Sequence, residues 1–184
     1  MRIRAGRLLL IIIMFFIMLF ILSGCFNMTV SERIVSSEKA QNALNEALSC
    51  LQSPYDWGGN GPDSFDCSGL VIWSYQQVID KTLYYQTSTG LEHDIRMDDL
   101  FCYNVAPINP SDVRPGDIVF VTSKDGLITH GGLFIKWINA DTFLYVNASA
   151  THGGVVINTR RLGEQSQGKW FMGFGQFIER TVIY

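Results

Sequence analysis

The chain has 184 residues, 47% of them hydrophobic and 17% charged, with 14 basic and 17 acidic side chains for a formal net charge of −3. That length suffices for one hydrophobic core, and the acidic balance argues against the concentrated basic surface that nucleic-acid binding requires. The four cysteines contain no CxxC pair, which argues against a cysteine zinc knuckle, and no pattern calls for a metal or other cofactor.

Arg2, Arg4 and Arg7 precede an unbroken apolar run from Leu8 to Leu22, followed by Ser23-Gly24-Cys25. A basic start, a short apolar core and small residues before a cut site read as an export signal over residues 1–24. The run of 15 residues is shorter than the roughly 20 that span a bilayer as a helix, so an uncleaved signal anchor is the weaker alternative. Leu22-Ser23-Gly24-Cys25 resembles the bacterial lipobox, which implies that Cys25 opens the mature chain carrying diacylglycerol on sulfur and a further acyl chain on its amine, enough for firm membrane attachment. Beyond residue 24 there remain 11 basic against 17 acidic residues, a formal charge of −6. Without Cys25 three cysteines are left, Cys50, Cys67 and Cys102, so at least one thiol is expected to be free.

Residues 25–37 read as the lipidated end and a polar tether, and 38–184 as the folded domain. Ala40, Ala43, Leu44, Ala47, Leu48 and Leu51 recur at helical spacing, which predicts an amphipathic helix ending before Pro54. Tyr55 to Phe65, rich in glycine, is turn material, and Cys67 to Ile79 resumes an apolar helical pattern. Thr87 and Ser88 are expected to cap a short helix through Leu91 and Ile95, with a turn at Asp98 to Phe101. Thereafter the texture becomes that of strands: Arg114 to Val121 as a turn into a strand, then His130 to Ile138, Phe143 to Ala148, Gly153 to Asn158 and Gly173 to Ile178. Helices followed by an antiparallel sheet give an α+β fold.

The chemistry gathers around Ser64-Phe65-Asp66-Cys67-Ser68-Gly69. With Asp66 as cap and Cys67 in the first turn, open backbone N–H groups favour the thiolate, the nucleophilic form; a packed thiol is the alternative. A base would come from His93, His130 or His152. His93 sits in an acidic stretch and reads as a surface residue, His152 lies in a turn that either lines a cleft or faces water, and His130 opens a strand among small neighbours. Asn147, inward in Tyr145-Val146-Asn147-Ala148-Ser149 on the next strand, fits as an acceptor that orients an imidazole, or equally as an ordinary hydrogen-bonding asparagine. Cys50 and Cys102 read as packed thiols.

Pro54-Tyr55-Asp56-Trp57-Gly58-Gly59, then Phe65-Asp66-Cys67-Ser68-Gly69-Leu70, Arg114-Pro115-Gly116-Asp117, Thr129-His130-Gly131-Gly132 and Tyr145-Val146-Asn147 together resemble the NlpC-type cysteine peptidases of bacterial cell walls, a papain-like group. The likeness covers about residues 38–180. It implies N-terminal helices packed on a five- to six-stranded antiparallel sheet, Cys67 as nucleophile, His130 as base and a third polar residue that orients it. That third residue is often histidine in the family, whereas this chain has Asn147. The resemblance further implies that Tyr55 helps hold the substrate or oxyanion, and that Asp66 and Ser68 line the substrate site and receive the free amine of a terminal L-alanine. The implied activity is hydrolysis of peptidoglycan stem peptides or their fragments between γ-D-glutamate and diaminopimelate or lysine. An outer-membrane lipoprotein facing the periplasm is expected, with some restraint by an envelope partner. The alternatives are a papain-like amidase or acyltransferase, and a non-catalytic envelope lipoprotein that binds stem peptides.

Overall fold

The computed structural model describes residues 29–79, 84–166 and 168–183. The unit Ser31–Thr181 contains every helix among the described residues. The elements in chain order are β1 (Thr29–Ile34), α1 (Ser37–Ser49), α2 (Cys67–Val78), β2 (Tyr85–Thr87), β3 (Gly90–Glu92), α3 (Met97–Tyr103), β4 (Val105–Ile108), a 3₁₀ turn (Pro110–Asp112), β5 (Ile118–Ser123), β6 (Ile128–Trp137), β7 (Thr142–Ser149), β8 (Gly154–Arg161), β9 (Gln165–Ser166) and β10 (Lys169–Ile183).

Helix α1 starts where Ser36 accepts a hydrogen bond from the Lys39 N–H at 3.3 Å, and it buries the small apolar stripe Ala40, Ala43, Leu44 and Ala47. Small side chains let α2 approach closely. Helix α2 is apolar on most of its surface because it is covered on most of its surface: Leu70, Val71, Ile72 and Tyr75 are buried, and the Tyr75 ring stacks on Phe177 with centroids 4.3 Å apart. Its buried hydroxyls are all satisfied: Ser68 donates to Asp66 Oδ1 at 2.9 Å, Ser74 to Leu70 O at 2.7 Å and Tyr75 to Gly116 O at 2.9 Å. The Tyr75 bond ties α2 to the Arg114–Asp117 turn, in which buried Asp117 accepts from the Arg114 backbone at 2.8 Å and pairs with its guanidinium at 3.1 Å.

The sheet runs β1-β10-β5-β6-β7-β8, with β4 and β9 also paired to β10, and the β5 to β8 ladder and its closure on β10 are antiparallel. Alternation along β5 separates two cores. Ile118 and Phe120 face the helices with Leu133, Val146 and Val155, while Val119 and Val121 face the other way, into an aromatic cluster of Phe134, Phe143, Tyr145 and Phe174. Both faces are therefore covered, which is why β5 reads as an unbroken apolar run. The α+β architecture, N-terminal helices on an antiparallel sheet, is the one expected, with two short strands beyond the five or six.

Four local expectations are corrected. Residues 29–34, read as tether, form edge strand β1. The helix expected from Thr87 to Ile95 is a hairpin instead, because Thr87 Oγ1 turns back to the Gly90 carbonyl at 3.0 Å and the Thr89 N–H at 3.2 Å; the hydroxyl closes a turn rather than capping a helix. The turn expected at Asp98 to Phe101 is helix α3, anchored by buried Met97 and Leu100, three residues apart. Cys102, on that same helix, is exposed, whereas Cys50 is buried.

Candidate active site

The loop before α2 is pinned at several points before it reaches Cys67. The Tyr55 N–H donates to Gly153 O at 3.0 Å, Phe65 N–H to Pro54 O at 3.0 Å, and Asp66 N–H to Gly59 O at 2.8 Å; Phe65 is fully buried. Asp66 then caps the helix. Its Oδ1 accepts from the Gly69 N–H at 2.7 Å and the Ser68 hydroxyl at 2.9 Å, and its Oδ2 from the Gly58 N–H at 3.0 Å. Gly69 has a steric reason to be glycine, since a Cβ there would overlap the Gly59 carbonyl. Asp66 thus holds loop and helix in register, and with Gly69 N–H taken by the cap, the N–H groups of Cys67 and Ser68 are left at the helix mouth.

The base approaches through an irregularity in the sheet. Val121 pairs with His130 but the next residue, Thr122, pairs with Ile128, so Thr129 is an extra residue in β6. Such a bulge re-aims the strand, and the Thr129 carbonyl comes to 3.9 Å from Cys67 Sγ. On the adjacent strand, Asn147 is wholly buried. Its Nδ2 donates to Val156 O at 3.4 Å, which fixes the amide and leaves Oδ1 facing His130 Nε2 at 3.1 Å. An acceptor at that position requires Nε2 to carry the proton, so the neutral ring keeps its lone pair on Nδ1. Gly132 permits the approach: a Cβ there would overlap the Val146 carbonyl and crowd Asn147 Cβ.

Tyr55, Asp66, Cys67, Ser68 and His130 line one cavity of about 660 Å³, a volume suited to a small peptide segment; Asn147 stands behind His130. His152 lies on the cavity wall, its Nδ1 at 2.9 Å from the Ser149 hydroxyl. His93 is outside it, against the Tyr84 ring. Cys25 falls outside the described residues. Three basic wall residues escaped the sequence reading, Arg96 just before α3, Arg160 on β8 and Lys169 at the start of β10.

The electrostatics differ from the expectation for a helix-start cysteine. Burial, then the Asp66 charge, push the Cys67 thiol up to about 11, against the opposing pull of the Ser68 N–H, Lys169 and its own N–H. Burial, then Lys169, push His130 down to about 4, with Asn147 pulling upward and Arg160 adding to the depression. Both shifts favour thiol and neutral imidazole over thiolate and imidazolium. Such a pair reacts by proton transfer to Nδ1 as sulfur attacks. Burial also raises Tyr55, with Cys67 and Asp66 reinforcing it, so the phenol remains a hydrogen-bond donor.

Similarity to known proteins agrees with this fold. The family described as NlpC/P60 matches residues 52–176. A Mycobacterium tuberculosis protein named as a probable endopeptidase is 34% identical over 92 residues, covering 50% of this chain and 20% of that protein. The murein DD-endopeptidase MepH of Escherichia coli is 33% identical over 95 residues, covering 50% of this chain and 32% of MepH. The chain thus spans about a fifth to a third of the length of these two relatives. Among solved structures, NlpC1 from Trichomonas vaginalis superposes with a TM-score of 0.57 at 24% identity, over 80% of this chain and 47% of that one.

Proposed function

The chain belongs to the NlpC/P60 family, and from that premise we propose that it is a cysteine endopeptidase of peptidoglycan stem peptides, acting at the cell envelope on the bond between γ-D-glutamate and diaminopimelate or lysine. The observation that carries the reading is the convergence of Cys67 and His130 on one cavity, with His130 Nε2 held by Asn147 at 3.1 Å. In this mechanism Cys67 Sγ attacks the γ-glutamyl carbonyl while its proton passes to His130 Nδ1. The oxyanion is received by the open N–H groups of Cys67 and Ser68 and by the Tyr55 hydroxyl, and loss of one such donor costs on the order of 3 kcal/mol. The imidazolium protonates the leaving amine as the C–N bond breaks. The neutral ring then takes a proton from water, hydroxide adds to the thioester, and the acid is released with the thiol restored. Asp66 and Ser68, oriented by the cap, receive the free amine of a terminal L-alanine. Cys25 carries the lipid that holds the domain to the outer membrane on its periplasmic side.

The full-length chain and its Cys67→Ala form, incubated with purified wall fragments and followed by mass, test the reading. A product ending in D-glutamate, formed only by the intact thiol, supports it. No cleavage of varied stem peptides, with Cys67 still open to alkylation, moves the function to a papain-like amidase or acyltransferase.

A further inference from the structure

Two consecutive arginines on β8 are treated in opposite ways. Arg161 is exposed; its Nε pairs with Asp141 at 2.7 Å and its N–H donates to Glu164 at 3.0 Å. Arg160 faces the other side of the strand and is only 8% exposed. Among the described residues its Nε and Nη1 have no hydrogen-bond partner. Alternation along β8 places it on the same face as Asn158, opposite the core residue Val155, and it lines the cavity that holds Cys67 and His130.

A buried guanidinium without a counter-charge costs several kcal/mol. In a chain with more acidic than basic residues, a partner was available in composition but not placed. The cavity's own carboxylates do not serve. Asp66 is engaged by Gly58, Gly69 and Ser68, and Asp98, on the first turn of α3, makes no ion pair with Arg160 among the described residues. Lys169 on the same wall adds positive charge, as does Arg96, which is paired with Asp99 at 3.9 Å. We propose that Arg160, supported by Lys169, is the carboxylate-binding group of the cleft, and that its ligand is a carboxylate carried by the bound peptide. The guanidinium fork suits a carboxylate in two-point contact. Binding would also neutralise the two cations that disfavour imidazolium at His130, so a correctly charged substrate would help ready the base that acts on it. This inference rests on the peptidase reading for the peptide it names.

The test measures calorimetric binding of three peptides to the full-length Cys67→Ala chain, with and without Arg160→Gln. The peptides are L-alanyl-γ-D-glutamyl-diaminopimelate, the same with the glutamate α-carboxyl amidated, and the same with the diaminopimelate carboxyls amidated. One amidation is expected to weaken binding at least about tenfold, and to identify which carboxylate Arg160 takes. Arg160→Gln should weaken the free-acid peptide by a similar factor and erase the difference between acid and amide, with Arg160→Lys restoring part of it. Equal binding of all three peptides by the Cys67→Ala chain, or an amidation penalty unchanged by Arg160→Gln, overturns the proposal. So does a melting temperature for Arg160→Gln well below its parent, since that marks a structural arginine. Carboxylate-dependent binding without turnover by the wild-type chain overturns the peptidase reading and leaves this inference standing; turnover without carboxylate dependence does the reverse.

Discussion

Arg180 and Arg160 are almost equally buried, at 6% and 8% exposed, in two regions of one sheet. On β10, Arg180 donates to Glu32 at 2.7 Å and to the Tyr103 carbonyl at 2.6 Å, and it also reaches the Asn104 side chain. Asn104 in turn receives the Gln86 N–H and donates to the Gln86 and Asp99 carbonyls. The same region holds Glu179 between Arg33 and Lys39. There, buried charge is matched and knits β1, β10, α3 and β2 together. On the cleft wall, Arg160 is unmatched, His130 is held neutral and Cys67 keeps its proton. One region uses polar groups to specify the fold, and the other keeps them at a cost to stability so that a substrate can complete them.

That division is open to attack from the cleft first. Cys67→Ala is expected to abolish turnover, a loss of about 10⁴-fold or more, with a melting temperature close to the parent's, because the cap bonds from Asp66 that set the start of α2 do not involve the thiol. Near-parental turnover in a fragment-digestion assay would remove Cys67 from its role. Next in size is Arg180→Ala. It leaves the buried Asn104 side chain and the Tyr103 carbonyl short of a donor, and should cost about 3 kcal/mol in urea unfolding while activity per folded molecule stays level. A loss of activity without a loss of stability there would break the comparison.

Asn147 sharpens it, because it is a buried amide of the cleft that is matched on both sides, by Val156 O and by His130 Nε2. Asn147→Ala removes the acceptor that holds His130 Nε2–H and frees the ring to adopt the wrong tautomer. The expected loss in kcat is about 10²-fold with KM little changed. Asn147→His, which restores a ring partner of the kind common in the family, should recover part of it.

Much of this was legible in the chain and some was not, for physical reasons. Helices α1 and α2 carried long periodic or apolar runs, and β5 to β8 carried strand patterns bounded by turns, so tertiary packing reinforced the local preference. The hairpin at β2 and β3 is hidden because Thr87 and Ser88 suit a helix cap and a turn alike, and only the return of the Thr87 hydroxyl to Gly90 decides between them. Helix α3 spans seven residues, too few for a period to show. At the site, Asp66-Cys67-Ser68-Gly69 named its own cap, whereas the protonation of Cys67 depends on burial that spacing does not report. Arg160 has no sequence signal of its own: it stands beside a second arginine, and only the alternation of β8 shows that one of the two points into the cleft.

The smallest expected effect concerns acid stability. His130 falls from an ordinary 6.5 to about 4 in the folded chain, so between those values the unfolded chain binds the proton that the folded one refuses. Stability from this group is complete above 6.5 and is lost as pH falls towards 4. From pH 6.5 to pH 5 the loss is about 1.5 kcal/mol. Cys67 acts at the other end: raised from 9.0 to about 11, its contribution is complete below 9 and is lost as pH rises towards 11. His130→Gln should therefore flatten the acid side of a stability profile and leave the alkaline side unchanged, while Cys67→Ala does the opposite. An acid slope that persists in His130→Gln would place the proton uptake elsewhere, and the cleft would then lose its claim to hold an imidazole neutral at the expense of the fold.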